Sequence, residues 1–241
     1  MAAYYIKANR IFSPWRQWAW AIVFLIALGG LYEPRLGLLV LFIIAGLSIT
    51  SLFKGRYWCG NFCTHGSFYD LILIKFSKND KIPQFLKSDA VMIVFFAIFS
   101  YKIGSRMFYI FTSQFDAMTI LSKIGTVFVS AYWMVLLVSV PIGLIYTSRA
   151  WCYFCPMGTF QRILYKLGRI SGINKKTDVK ISVEDKLLCR SCAKCSRVCP
   201  MQLQPYLEFD GNNQFSSDKC IKCKTCIKNC PVNILSLRTL R

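Results

Sequence analysis

Residues 189–200 read Cys189-Arg190-Ser191-Cys192-Ala193-Lys194-Cys195-Ser196-Arg197-Val198-Cys199-Pro200, and residues 220–231 repeat the pattern as Cys220-Ile221-Lys222-Cys223-Lys224-Thr225-Cys226-Ile227-Lys228-Asn229-Cys230-Pro231. Both are C-x2-C-x2-C-x3-C-P. Three thiolates at this spacing bind three irons of one [4Fe–4S] cube, while the fourth cysteine reaches across to the other cube. By that crossing, Cys189, Cys192, Cys195 and Cys230 hold one cluster, and Cys220, Cys223, Cys226 and Cys199 hold the second. A tetrahedral zinc site wants two separated pairs and has no use for a third close cysteine followed by proline. A disulfide framework is disfavoured by the same tight spacing and by a reducing compartment. Residues 186–241 are therefore expected to form an α+β ferredoxin-like module. Within it, Phe209 to Phe215, centred on Asp210-Gly211-Asn212-Asn213, reads as the hairpin turn between the halves. The interleaved Arg190, Lys194, Arg197, Lys219, Lys222, Lys224 and Lys228 either raise the cluster potentials or form a solvated basic face.

Upstream of this tail the chain changes character. Of its 241 residues, 55% are hydrophobic, yet 30 Lys+Arg against 11 Asp+Glu give a formal charge of +19, and the mean hydropathy is +0.42. A soluble chain rarely sustains that apolar content, whereas a bilayer accommodates it. Leu36–Phe53 carries no charge, and Ile124–Ser148 is apolar throughout with one proline, Pro141. Trp18–Tyr32 and Ala90–Tyr101 are shorter, but Arg16 and Lys102 extend them by snorkelling. Four spans follow, at about 16–32, 36–53, 88–105 and 124–148, in a membrane domain of residues 1–160. Lys7, Arg10 and Arg16, then Lys54, Arg56, Lys75, Lys78, Lys81 and Lys87, flank alternate span ends, while Arg35, Arg106 and Lys123 are the few cations opposite. Cationic flanks mark the cytoplasmic side, so both termini are expected there, in a bacterial inner membrane. Positive-inside bias and anionic lipid account for much of the charge, which leaves no need for nucleic acid. Met1–Ser13 lacks a signal-peptide arrangement, so the first span is expected to stay as an anchor. Residues 161–185 read as a linker, most plainly in the Gly-, Asn-, Lys- and Asp-rich stretch from Ser171.

The membrane part also repeats itself. Arg56-Tyr57-Trp58-Cys59-Gly60-Asn61-Phe62-Cys63-Thr64-His65-Gly66-Ser67-Phe68 matches, with one gap, Arg149-Ala150-Trp151-Cys152-Tyr153-Phe154-Cys155-Pro156-Met157-Gly158-Thr159-Phe160. Two two-span units, each ending in a cysteine pair, are expected to pack about a pseudo-twofold axis that gathers Cys59, Cys63, Cys152 and Cys155. The repeated Trp and Arg read as interfacial anchors. Three readings of the four cysteines stand: ligands of a third iron–sulfur centre, redox-active dithiols, or buried packing. His65, the single histidine, reads as a hydrogen-bonding neighbour of these cysteines or a proton acceptor.

With these motifs quoted, the chain resembles the membrane-bound polyferredoxins of the NapH type, quinol dehydrogenase subunits with more distant NosR and CcoG relatives. The resemblance runs through Phe160 and then from Cys189 to Pro231. It departs at Thr64, where the family has proline after the first pair, and at the shorter second pair. It implies electron transfer between the quinone pool and a redox partner protein or the subunits of a larger membrane complex, with quinone as substrate. Such a role needs an apolar pocket and a proton acceptor, for which His65, Asp116, Tyr109 and Tyr132 are candidates. The CcoG likeness implies a second reading, a membrane reductase serving assembly of a metalloenzyme. A third is a wire or anchor subunit. No dinucleotide-binding glycine fingerprint follows a strand, so nicotinamide or flavin chemistry belongs to a partner.

Overall fold

The computed structural model describes residues 5–239; residues 1–4 of the expected membrane domain and 240–241 of the tail lie outside them. Among the described residues three helical stretches are long and apolar enough to cross a membrane: Pro34–Lys54, Asp89–Thr112 and Ala117–Ile145. The first opens with a tight turn over Pro34–Leu38 and continues as α1, Leu39–Lys54. Gly55, at φ 59°, ends it while its N–H still bonds Ser51, a left-handed stop that suits glycine. Helix α2, Asp89–Thr112, starts where the Ser88 hydroxyl accepts from the N–H of Val91 at 3.3 Å. Helix α3, Ala117–Ile145, is capped in the same way by Asp116. A stripe of glycine lets the bundle close: a Cβ on Gly37 would lie 2.2 Å from the Gly125 carbonyl oxygen, the small-residue contact that membrane helices use.

Residues 14–32 are also helical, but in pieces: Pro14–Trp18, Trp20–Phe24, a wide π turn over Leu25–Gly29, and Gly30–Tyr32. Gly30 abuts Val129 of α3. After α1 the chain makes short turns through Tyr57–Asn61 and Thr64–Phe68, and a π turn at Tyr69–Leu73.

The expected linker is ordered. Helix α4 runs Pro156–Ile170, so ten residues assigned to a linker belong to a helix. Its Gly168 sits against the Leu52 carbonyl of α1. Strand β1, Val179–Val183, is the middle strand of an antiparallel sheet, flanked by β2, Gln214–Phe215, and β3, Leu235–Thr239. The tail module thus begins before residue 186. The turn expected at Phe209–Phe215 is present: Phe209 bridges Phe215, and Asp210 Oδ1 accepts from the N–H groups of Asn212 and Gln214 at 2.9 Å.

Candidate functional site

The two cysteine motifs of the tail fold across each other. One cavity, of about 30 Å³, is lined by Cys189, Cys192, Cys195 and Cys230, with Tyr206, Phe209 and Pro231 among its walls. The other, of about 20 Å³, is lined by Cys199, Cys220, Cys223 and Cys226 against Ile181 and Phe215. Each gathers three close cysteines of one motif and the last of the other. The backbone turns around each cavity through left-handed residues on both sides of the second cysteine, Ser191 and Ala193 in one loop, Lys222 and Lys224 in the other. Among the described residues no three His, Cys, Asp or Glu side chains are set to hold a lone metal ion. Sulfurs spread around a cavity in this way fit a polynuclear cluster. Burial pushes the Cys199 thiol up to about 12 and Cys220 up to about 11, so both are protonated near neutrality until a metal takes the proton's place.

Cys59, Cys63, Cys152 and Cys155 line one cavity of about 110 Å³, several times the room of either tail cavity. The sulfur of Cys63 accepts from the Gly66 N–H at 3.4 Å, and Gln161 of α4 donates to Cys59 Sγ at 3.0 Å. Burial raises Cys63 and Cys155 to about 12. Apolar walls come from the long helices, with Ile43 and Ile44 of α1, Phe99 of α2, and Phe128 and Val135 of α3 among them.

The repeated arginines are not interfacial anchors. Arg56 is 3% exposed and Arg149 0%, and each reaches into the other repeat. Arg56 Nη2 donates to the Cys152 carbonyl at 2.5 Å, and Arg149 Nη1 donates to the Cys59 carbonyl at 3.1 Å. Their landing places also correspond: Arg149 lies over Gly66 and Arg56 over Gly158, where a Cβ would come within 3.0 Å of a guanidinium nitrogen. Arg149 Nη1 further donates to Cys152 Sγ at 3.6 Å. Trp151 is likewise buried, edge-on to Phe154 and Phe95.

Asp70, which the sequence reading passed over, anchors this shell. Its fully buried carboxylate pairs with Arg149 at 2.5 Å, with Arg10 at 3.5 Å, and with Arg16. Burial works against the charge, but Arg149 first, then Arg16 and Arg10, hold the carboxyl well below the usual range.

Of the proton-acceptor candidates, His65 and Tyr132 both line the cavity, their rings 4.5 Å apart. His65 Nε2 is buried without a hydrogen-bond partner among the described residues. Burial lowers its pKa to about 4, which keeps the ring neutral. Tyr132 lines the cavity beside the cysteines. Asp116 caps α3 through the Thr119 hydroxyl at 2.7 Å, and Tyr109 packs on Phe115; neither lines the cavity.

The tail rests directly on this edge. A Cβ on Gly60 would lie 2.1 Å from the Ile221 carbonyl oxygen and 3.0 Å from Cys223 Cα. Asn61 donates to the Lys222 carbonyl, Lys222 Nζ to the Lys54 carbonyl, and the Tyr153 hydroxyl to the Met201 carbonyl.

A 4Fe-4S binding domain matches residues 36–83 and again 129–174, and a 4Fe-4S dicluster domain matches 180–231. The chain is similar to the methylamine utilization ferredoxin-type protein MauN of Methylobacillus flagellatus, 33% identical over 33% of this chain and 26% of that one. It is also similar to the ferredoxin-type protein NapH of Haemophilus influenzae, 25% identical over 49% of this chain and 41% of that one. This chain fits the NapH type of polyferredoxin. The matched stretches span less than half the length of these relatives. No solved structure matches.

Proposed function

We propose that the protein is a membrane-bound electron carrier between the quinone pool and a redox partner, using two [4Fe–4S] clusters in its tail and a third iron–sulfur centre on Cys59, Cys63, Cys152 and Cys155. When bound, such clusters supply one-electron redox steps. The observation that carries this reading is the seat of Cys59-Gly60 on Ile221–Cys223, which sets the membrane-edge cysteines against a tail cavity with no side chain between the two backbones. Cys189, Cys192, Cys195 and Cys230 would hold the outer cluster, and Cys199, Cys220, Cys223 and Cys226 the inner one. The apolar walls from α1, α2 and α3 suit a quinone ring and tail. His65, neutral and with a free nitrogen, is placed to accept a quinol proton, with Tyr132 beside it.

A four-span pseudo-twofold membrane domain in the bacterial inner membrane goes with this reading. Its support is the crossed arginine contacts and the course of residues 14–32, from Arg16 at Asp70 to Gly30 at Val129.

Iron and labile sulfide analysis of anaerobically purified protein tests it. The tail alone accounts for about eight of each, and a third centre adds roughly two to four. A Cys59→Ser/Cys152→Ser double variant should lose that increment while keeping the tail's signals; unchanged iron would overturn the third centre. Reduction of the clusters by a menaquinol analogue tests the quinone link, and no reduction would favour the assembly-reductase reading.

A further inference from the structure

Charge around the membrane-edge cysteines does not balance. Arg10, Arg16, Arg56 and Arg149 are at most 3% exposed, and Asp70 is the acid buried with them. Among the described residues the other buried acid is Asp178, which is taken by Lys222 and Tyr165. Arg10, Arg16 and Arg149 share the one Asp70 carboxylate. Arg56 meets the carbonyl oxygens of Cys152 and Lys219 and the thiol of Cys59, and pairs with no carboxylate among the described residues. Four buried cations against one anion leave an excess of three. Ions in such surroundings are stable only when compensated, and Arg56 and Arg149 both line the cysteine cavity. Two disulfides, or four neutral thiols, would supply no compensation at all.

We propose that these four arginines are the charge-setting residues of the membrane-edge centre, favouring its reduced state and raising its potential above those of the two tail clusters. This rests on the third-centre reading above. Four thiolates around an iron–sulfur core leave roughly two negative charges when it is oxidised and roughly three when it is reduced. The excess of three therefore matches the reduced form. One electron arrives from a reduced tail cluster, which is oxidised in turn; no bond forms or breaks, and the added charge meets cations already in place. Around the tail cavities Arg190 and Lys228 are exposed, Lys194, Arg197, Lys219 and Lys224 are half-exposed, and the buried Lys222 is paired with Asp178. Water and counter-ions screen the exposed ones, so their pull on an electron is weaker.

The test is an EPR-monitored redox titration of the full-length, cluster-loaded protein in detergent, with iron counted on the same samples. In the wild type the third signal should titrate above both tail signals. Arg56→Gln should lower its reduction equilibrium constant at least tenfold, about 59 mV for one electron, with iron and the potential of the outer tail cluster unchanged. Arg56→Lys keeps the charge and should restore the wild-type value. If Arg56→Gln loses iron, Arg10→Gln carries the test, because Arg10 bonds Asp70 and Ser148 and no cysteine; it should shift the potential in the same direction. A third signal at or below the tail potentials, or an unmoved potential in an iron-replete variant, overturns the proposal. A wild-type iron count that stops at the tail clusters overturns the centre itself, and is seen before any titration begins.

Discussion

Removing the charge of Asp70 leaves Arg10, Arg16 and Arg149 facing one another with no carboxylate between them. Breaking a buried ion network by deleting one partner costs about 3–5 kcal/mol, so Asp70→Asn should lower the thermal midpoint sharply in detergent. An unchanged midpoint would refute the network's role. The same carboxyl has a depressed pKa in the fold, so its contribution is present in full above its unfolded pKa near ~3.9. That contribution fades only as pH falls below that value, leaving no dependence on this group between about pH 6 and 8. Asp70 was legible in principle. It is the one acid between Glu33 and Asp80 and interrupts the apolar run Phe68-Tyr69-Asp70-Leu71-Ile72, a setting in which an ionisable residue signals a buried partner. The arginines were harder. Repetition marks Arg56 and Arg149 as equivalent, but only the fold reveals that each serves the other's cysteine turn.

At the scale of elements, the cysteine loops were the most readable part, because ligand spacing is a local property and survives without knowledge of the rest. The cavities group Cys199 with Cys220, and Cys230 with Cys189. Their protonation has a consequence for assembly. With Cys199 at about 12 and Cys220 at about 11, cluster binding must release protons from thiols that are neutral at pH 7. Reconstitution of the tail clusters should therefore tighten as pH rises from about 7 to 9, followed by visible absorbance against a competing chelator. A flat profile would contradict the burial that raises these thiols. The stretch 161–185 was misread for the opposite reason. Strand β1 pairs with β3 more than fifty residues later, and non-local pairing leaves little trace in local composition. Helix α4 was legible, since Met157, Phe160, Ile163, Leu164, Leu167 and Ile170 recur at helical spacing with Arg162, Lys166 and Arg169 between them.

For the molecule as a whole, apolar length was read well for the long helices and less well at the start, where the wide turn at Leu25–Gly29 divides a short segment. The ends of α1 and α3, the start of α2 and the tail all gather on one side, as the contacts of Lys54, Lys87 and Tyr153 with tail residues require. Reporter fusions after residues 80 and 239 should accordingly report the same, cytoplasmic compartment, and a fusion near residue 114 the other. Opposite results at 80 and 239 would rule out the proposed topology. The close seat of Gly60 on Ile221–Cys223, locked by Asn61 and Lys222, has a kinetic side as well. A module so fixed cannot swing out on a tether to meet its partner. Cys192 is the exposed cysteine of the outer cavity, so traffic passes through one stationary outlet. On the proposed function, throughput would then depend on how often a partner collides with that spot in the right orientation.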